Sequence, residues 1–534
     1  MIDINLLTSL SDNIRIDQEK CNACGRCVEV CVLDNLRLQL SPCRQACPLG
    51  MNCQGYIRLL SQGRMDKGLE TVKEVIPFGG ILGRVCSRPC EAACSRLKID
   101  GQPVAIRDLK RFLTDQDGQP GYPSVAQELP QKVAIVGAGP AGLAAAFYLR
   151  KWGFRVTLYD KESLPGGLLC WAIPEFRLPK KIVEGELSFI QPMGIEFVGN
   201  RILGKDLELN LLEREFNAIL LAMGAHGRMK LGIPGEDDDA VFPVLDFMKR
   251  VRQKKSPPVG KRVVVIGGGN AAVDAAQTAR RLGAEKVQLV SLEKRHEMPA
   301  FSWSVTEAEE EGIHIQNGWG PKAFRLKGKR VSGITLKKCT ALYDSQGRFS
   351  PIYDEKTRIE VAADTVILAI GQRPETDGLD SSLYGPMGVL CDPVTLQTPN
   401  PKIFVAGDFI GGPKTIVEGM SQGKEAALSI ERFLLGEDLY YGRKNGSIYE
   451  LQFEPDLSRA KTRSRLSMPS LKVPQRKGFK EVALGYSKEE AVAEAERCLN
   501  CGMPFGLRTC WFCLPCEIEC PEKALYVEIP YLLR

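Results

Sequence analysis

The sequence predicts an α/β fold: two strand–turn–helix–strand units, one nested in the other, joined to a helical segment and two short end segments rich in cysteine. Three observations predict it. Two apolar strands run directly into closely spaced glycines, in KVAIVGAGPAGLAAAFYLRKWGFRVTLYD from residue 132 and RVVVIGGGNAAVDAAQTARRLGAEKVQLVSLE from residue 262. The second unit is bracketed by LAMG (221–224) and LAIGQRP (368–374), and FVAGDFIGG (404–412) follows, so the first unit is interrupted and then resumed. Of nineteen cysteines, sixteen lie before residue 95 or after residue 497, outside both units.

Each element can be justified in order. Residues 1–40 begin with a short apolar/polar alternation and carry CNACGRCVEVC. Residues 41–120 hold six more cysteines among helical patterns such as GYIRLLSQGRMDKGLETVKEVI, and DQDGQPGYPSVAQELP follows as a Pro/Gly-punctuated linker. Residues 131–245 form the first part of the outer unit, 246–374 the inserted unit and 375–436 the return. Residues 437–485 are polar and basic with little periodicity, as expected of a connector wrapping a surface. In 486–534, SKEEAVAEAERCLNC reads as a helix delivering its end into a cysteine tail, with Ser487 as N-cap and Glu490 at the capping-box position.

Bulk properties bound the function. At ~150 residues per domain, 534 residues make three to four domains. Hydrophobic content of 44% and charged content of 25% are ordinary for a globular chain, and a net charge of +6 over this length is no nucleic-acid signature. MIDINLLTSLSDNIRID is mixed and acidic, so no secretory signal is expected, and no apolar run of roughly 18 residues predicts a membrane span. The expected compartment is the cytoplasm. There, cysteines in this number point to metal or cluster ligation rather than disulfides. The three histidines, His226, His296 and His314, do not group with them, which disfavours a Cys/His zinc site.

Gly137, Gly139 and Gly142 give G-x-G-x-x-G directly after a strand. The first permits a tight turn, the second lets backbone approach a pyrophosphate, and the third lets helix and strand pack closely, with the helix N-terminus facing the phosphates. Asp160 ends the next strand, where an acid binds a ribose hydroxyl. The unit is therefore Rossmann-like. In the inserted unit, Gly267, Gly269 and Ala272, with Asn270 among them, form the G-x-G-x-x-A variant, and Gly371 lies in the closing segment. Its strand ends near Glu293, where the ribose 2′-oxygen is read. A carboxylate there favours the hydroxyl of NADH. The alternative is that Glu293 is merely solvated while Lys294 and Arg295 take the 2′-phosphate of NADPH.

CNACGRCVEVC places Cys21, Cys24, Cys27 and Cys31 at C-x₂-C-x₂-C-x₃-C, the ferredoxin run for a [4Fe–4S] cluster, with Val32 where proline is usual. CWFCLPCEIECP repeats the run with its proline, as Cys510, Cys513, Cys516, Cys520 and Pro521. A Cys₄ zinc site is the rival, but such tight spacing suits a ferredoxin better. In two-cluster ferredoxins the fourth cysteine of each run serves the other cluster, so the two runs could form one bipartite ferredoxin if the termini meet. No C-x₄-C redox pair lies in the first unit. Cys170 stands alone there, as Cys339 and Cys391 do elsewhere.

Several motifs in order resemble the glutamate synthase small-subunit family and the N-terminal part of dihydropyrimidine dehydrogenase, over most of residues 41–436. PGGLLCWAIPEFRLPK (165–180) is similar to the family's stretch beside the flavin, which implies roles for Gly166, Gly167, Leu168 and Arg177. FVAGDFIGG is similar to its late Gly-Asp motif, which implies that Gly407 and Asp408 close on FAD. The family usually carries Tyr-Arg-Arg where this chain has Ser291-Leu292-Glu293, which strengthens the NADH expectation. PCRQACPLGMNCQGYIRLL, GRVCSRPCEAACSR and PVAIRDLKRF resemble its helical iron–sulfur domain, which draws two [4Fe–4S] clusters from Cys43, Cys47, Cys53, Cys86, Cys90 and Cys94 together with an Arg-Cys-x-x-Cys-Gly-x-Pro-Phe piece. That piece is missing from its usual place and stands at 497–505 instead, with Cys498 and Cys501. The resemblance thus implies that Cys498 and Cys501 return to join Cys43 and Cys94, leaving Cys47, Cys53, Cys86 and Cys90 for a second cluster. The alternative is that Cys498 and Cys501 are spare or belong with the C-terminal run.

The activity implied is hydride exchange between NAD(P)H and FAD and single-electron exchange with three to four clusters, with no side-chain general base named. Extended members of the family accompany tungsten or molybdenum enzymes, 2-oxoacid oxidoreductases or hydrogenases. An electron-transfer subunit serving such a redox partner, or ferredoxin, is the first expectation. A glutamate synthase small subunit feeding its large subunit is the second, and a flavin-binding iron–sulfur scaffold without nicotinamide chemistry the third.

Overall fold

The computed structural model describes residues 13–32, 35–116, 125–255, 257, 259–328, 330–385, 388–412, 414–443, 449–450, 453–455, 457, 460–506, 510 and 513–528. Two five-stranded parallel sheets organise it. The first runs in the order Ile403–Val405, Ala218–Leu221, Lys132–Val136, Arg155–Tyr159, Glu196–Val198. The chain leaves this sheet after Leu221 and returns at Ile403 to pair beside the strand it left. In between it builds the second sheet, in the order His314–Asn317, Lys286–Ser291, Arg262–Ile266, Thr365–Leu368, Val241–Pro243. Parallel strands are buried on both faces, which is why VAIV, AILL and VVVI are unbroken apolar runs and VIL follows Thr365 in the fourth. A three-stranded antiparallel sheet, Trp319–Lys327, Arg330–Tyr343 and Phe349–Ala362, is also inserted in the second unit.

The helices Cys53–Ser61, Met65–Val75, Gly79–Val85 and Ile106–Asp115, among which the internal cysteines lie, pack onto the first unit. One apolar core runs from Leu60, Phe78 and Leu109 into Ile135, Phe147 and Leu149, whereas the second unit has its own core around Phe247, Val265, Ala276 and Leu289. The helices around the internal cysteines therefore share their core with the first unit. Asn52 caps the first of these helices, its side chain accepting the Gly55 N–H at 3.0 Å. Near the far end, Ser487 and Glu490 form a capping box on helix Lys488–Ala495.

The two ends of the described chain meet. Ile14–Ile16 pairs antiparallel with Leu525–Val527, and Leu36–Gln39 pairs antiparallel with Pro504–Gly506. No described helix is long and apolar enough to cross a membrane.

Candidate cofactor pocket and thiol quartets

The first glycine turn does three different things. Gly137, at φ 109°, ends its strand where any side chain would run into the Ala222 carbonyl. Gly139, the N-cap of helix Pro140–Lys151, has open space where a side chain would stand. Gly142 lies against the Gly137 carbonyl, so it serves packing. In front of the turn is a cavity of about 620 Å³ lined by Gly137, Gly139, Asp160, Gly167, Leu168, Gly407 and Asp408 among others, within the size range of cofactor sites. The Asp160 carboxylate accepts the N–H groups of Ala138 at 2.6 Å and Glu162 at 2.7 Å, which fixes it at the cavity wall. Burial nevertheless pushes its pKa up against those two bonds. Asp408 accepts the Lys414 N–H at 2.9 Å and is likewise pushed up by burial.

Gly142 serves helix–strand packing, as its place in the motif predicts. Two residues expected at this cavity do not line it. Gly166 turns at φ 123° against the Cys170 thiol. Arg177 points to the second unit, pairing with Asp274 at 2.9 Å and donating to Ser304 Oγ at 2.9 Å. A residue the motifs did not single out, His226, does line the cavity, and burial lowers its pKa to about 4, keeping it neutral. Its only sequence signal was its place two residues after LAMG.

In the second unit Gly267 turns at φ 141° against the Ala369 carbonyl, Gly269 again faces open space, and Ala272 is fully buried. The Glu293 carboxylate lies against Gly268 of this turn and accepts the Ser291 hydroxyl at 2.5 Å. The cations beside it are engaged elsewhere: Arg295 pairs with Glu309 at 2.6 Å and Lys294 reaches Glu297 at 3.9 Å. Asn270 Oδ1 accepts the Phe301 N–H at 3.0 Å, so its side chain holds the loop over the turn. Gly371, at φ 107°, follows the strand Thr365–Leu368.

The cysteines assemble across the sequence. Cys47, Cys53, Cys86 and Cys90 line one small cavity, and Cys43, Cys94, Cys498 and Cys501 line a second, with Ile106 in the wall of both. The Cys498 thiol is pushed up by burial and by the thiols of Cys43, Cys501 and Cys94. Its segment is held by a reciprocal amide pair: Gln54 Nε2 donates to the Gly502 carbonyl at 2.6 Å, and the Gly502 N–H donates to Gln54 Oε1 at 2.8 Å. Cys27, Cys510 and Cys516 share a further small core where the ends meet, with Cys31 and Cys520 packed against it. Cys170 and Cys339 stand apart, with Sγ contacts to the backbone carbonyls of Pro165 and Ala341. Among the described residues no three His, Cys, Asp or Glu side chains close on one point as chelators of a single ion do. Thiols spaced around a small cavity suit a larger inorganic core.

Helix Ile416–Leu435 joins the two kinds of site. Ile416 and Gly419 line the large cavity and Val417 lines the Cys47/Cys53/Cys86/Cys90 cavity. Ser421 Oγ donates to the Pro48 carbonyl at 2.7 Å and Lys424 Nζ to the Leu49 carbonyl at 3.2 Å, clamping the thiol segment to the helix.

Comparison with known proteins agrees with this layout. Residues 131–423, more than half of the chain, match the family described as pyridine nucleotide-disulphide oxidoreductase. Residues 11–121 match the one described as dihydropyrimidine dehydrogenase domain II, 4Fe-4S cluster. The chain is 33% identical over 502 residues to the NADP(+)-dependent formate dehydrogenase subunit beta of Moorella thermoacetica, covering 86% of this chain and 70% of that one. It is 31% identical over 507 residues to the NADPH-Fe(3+) oxidoreductase subunit beta of Geobacter sulfurreducens, covering 86% and 75%. It is 35% identical over 402 residues to the NAD-dependent dihydropyrimidine dehydrogenase subunit PreT of Escherichia coli K12, covering 74% and 92%. The fold is similar to that of Mycobacterium tuberculosis FprA in complex with NADPH, with a TM-score of 0.51 at 20% identity over 58% of this chain and 85% of that one.

Proposed function

The chain belongs to the pyridine nucleotide-disulphide oxidoreductase family, joined to a 4Fe-4S domain of the dihydropyrimidine dehydrogenase type, and from that premise we propose that it is an NADH-linked flavin subunit feeding single electrons through cysteine-held clusters to a redox partner. The observation that carries this reading is helix Ile416–Leu435, one turn of which borders both the large cavity and the first thiol quartet. The residues fit the groups. Gly139 leaves room for a pyrophosphate, Asp160 stands ready for a ribose hydroxyl, and Gly407, against Ala141 of the helix that Gly139 caps, completes the wall of an FAD site with Asp408. Gly267 and Gly269 offer the same cradle in the second unit, with Glu293 as acceptor for a ribose 2′-hydroxyl and Arg295 drawn off to Glu309. Cys47, Cys53, Cys86 and Cys90 would hold one [4Fe–4S] cluster, and Cys43, Cys94, Cys498 and Cys501 another. When bound, the flavin supplies the exchange between a hydride and single electrons that the clusters carry.

What the chain itself does is position these groups. The shared helix fixes the distance of the Cys47/Cys53/Cys86/Cys90 quartet from the large cavity, and Ile106 stands between the two quartets. The neutral His226 adds no charge of its own to a cavity wall that already holds Lys161 and Glu162. The formate dehydrogenase and iron-oxidoreductase relatives are named as beta subunits, which supports a partner polypeptide as the electron acceptor or donor.

Anaerobic titration of the holoprotein with NADH tests the proposal. Flavin and cluster absorption should bleach together, with uptake of roughly six electrons per chain for one FAD and four clusters. Bleaching of flavin alone, with clusters that only dithionite reduces, would refute it.

A further inference from the structure

We propose that the two ends of the chain fold as one two-cluster ferredoxin module in which the fourth cysteine of each run serves the other run's cluster: Cys21, Cys24 and Cys27 with Cys520, and Cys510, Cys513 and Cys516 with Cys31. This rests on the iron–sulfur reading above and extends it to the termini.

The backbone of the ends is two copies of one motif. Each copy is a strand, a cysteine run with a four-residue helix, and a second strand: Ile14–Ile16, Arg26–Glu29, Leu36–Gln39 in one, and Pro504–Gly506, Pro515–Ile518, Leu525–Val527 in the other. The first strand of each copy pairs antiparallel with the last strand of the other, so the copies are related by a two-fold exchange. The correspondence extends to single residues. The residue before each helix is left-handed, Gly25 at φ 93° and Leu514 at φ 69°. Behind each fourth cysteine the N–H four residues on points at its sulfur, Asn35 to Cys31 at 3.2 Å and Ala524 to Cys520 at 3.3 Å.

The third cysteine of each run lies in the four-residue helix and the fourth stands two residues past its end. The two helices pack against each other, with Arg26 reaching Glu519 at 3.4 Å, and the third cysteines of both runs share one small core against which both fourth cysteines pack. The burial agrees: Cys31 and Cys520 both pack against the core that Cys27, Cys510 and Cys516 share, so neither fourth cysteine is confined to its own run. Asn13 Nδ2 donates to the Cys510 carbonyl at 3.1 Å and the Asp17 N–H to the Ala524 carbonyl at 2.7 Å, tying the copies together beyond the strands.

The test uses the full-length holoprotein and the variants Cys31→Ser and Cys520→Ser, labelled under native conditions with iodoacetamide and mapped by peptide mass. Each variant should lose about four irons per chain and keep full FAD and full NADH-driven flavin bleaching. Cys31→Ser should expose Cys510, Cys513 and Cys516 to label, and Cys520→Ser should expose Cys21, Cys24 and Cys27. Labelling confined to the mutated run, or spread over both runs, overturns the exchange. Loss of flavin bleaching would count instead against the proposed function, since neither residue touches the large cavity.

Discussion

In the function proposed, the choice of nicotinamide cofactor falls to Glu293. Its carboxylate lies against the glycine turn and accepts the Ser291 hydroxyl, and the neighbouring Arg295 is paired with Glu309. A ribose 2′-hydroxyl can donate to that carboxylate, whereas a 2′-phosphate would meet like charge. A hydrogen bond to a charged group contributes ~1.5–3 kcal/mol. Glu293→Ala should therefore raise KM for NADH by about tenfold or more and leave KM for NADPH the same or lower, read from initial rates with an artificial acceptor. An unchanged NADH/NADPH ratio would remove Glu293 from the selectivity. Residues of this kind were legible in the sequence, because a glycine turn and the acid that follows its strand are fixed by local spacing. Arg177 was not legible, because its position is set by Asp274 and Ser304 on a different unit.

At the scale of elements, helix Gly79–Val85 is tied to the first unit through a half-buried acid. The Glu186 carboxylate, on helix Lys180–Leu187, accepts the N–H groups of Gly80 and of Ile81 (2.7 Å) at the start of helix Gly79–Val85. Burial outweighs these bonds and pushes its pKa from 4.5 to about 7. A carboxyl raised on folding adds stability that is complete below the unfolded value and is lost as pH rises through the folded one. The contribution, ~2 kcal/mol after allowance for partial exposure, should therefore fade between about pH 4.5 and 7. Glu186→Gln cannot ionise, so its melting temperature should gain on that of the native protein as pH rises from 5 to 8. A constant difference across that range would show that Glu186 does not titrate there. Other elements eluded sequence reading for a physical reason: the strand Phe349–Ala362 is largely exposed, so it carries no apolar run like those of the parallel sheets.

At the scale of the whole molecule, one side chain ties the C-terminal segment to the middle of the chain. Arg497 is among the most buried residues of the chain, 1% exposed, and precedes Cys498. Its guanidinium pairs with Glu494 at 2.7 Å and Asp100 at 3.3 Å and donates to the carbonyls of Gln102, Pro103 and Arg463 at 2.9, 3.0 and 2.9 Å. Those partners come from the thiol-bearing helical segment, the connector and the C-terminal helix, so this one residue registers all three. Sequence spacing could not reveal such a node; only the displaced Arg-Cys-x-x-Cys resemblance pointed to it. Removing one partner of a buried ion pair costs ~3–5 kcal/mol because the others keep their charge without compensation. In Arg497→Met, Asp100 keeps Arg96 but Glu494 loses its cation and is left with the N–H groups of Ala105 and Leu466, and the segment bearing Cys498 and Cys501 should lose its seat beside Cys43 and Cys94. The expected outcome is loss of about four irons per chain with FAD retained, since the large cavity shares no wall with Arg497. Full iron content in Arg497→Met, measured beside FAD in the same preparation, would mean that the thiols hold the ends together without the arginine.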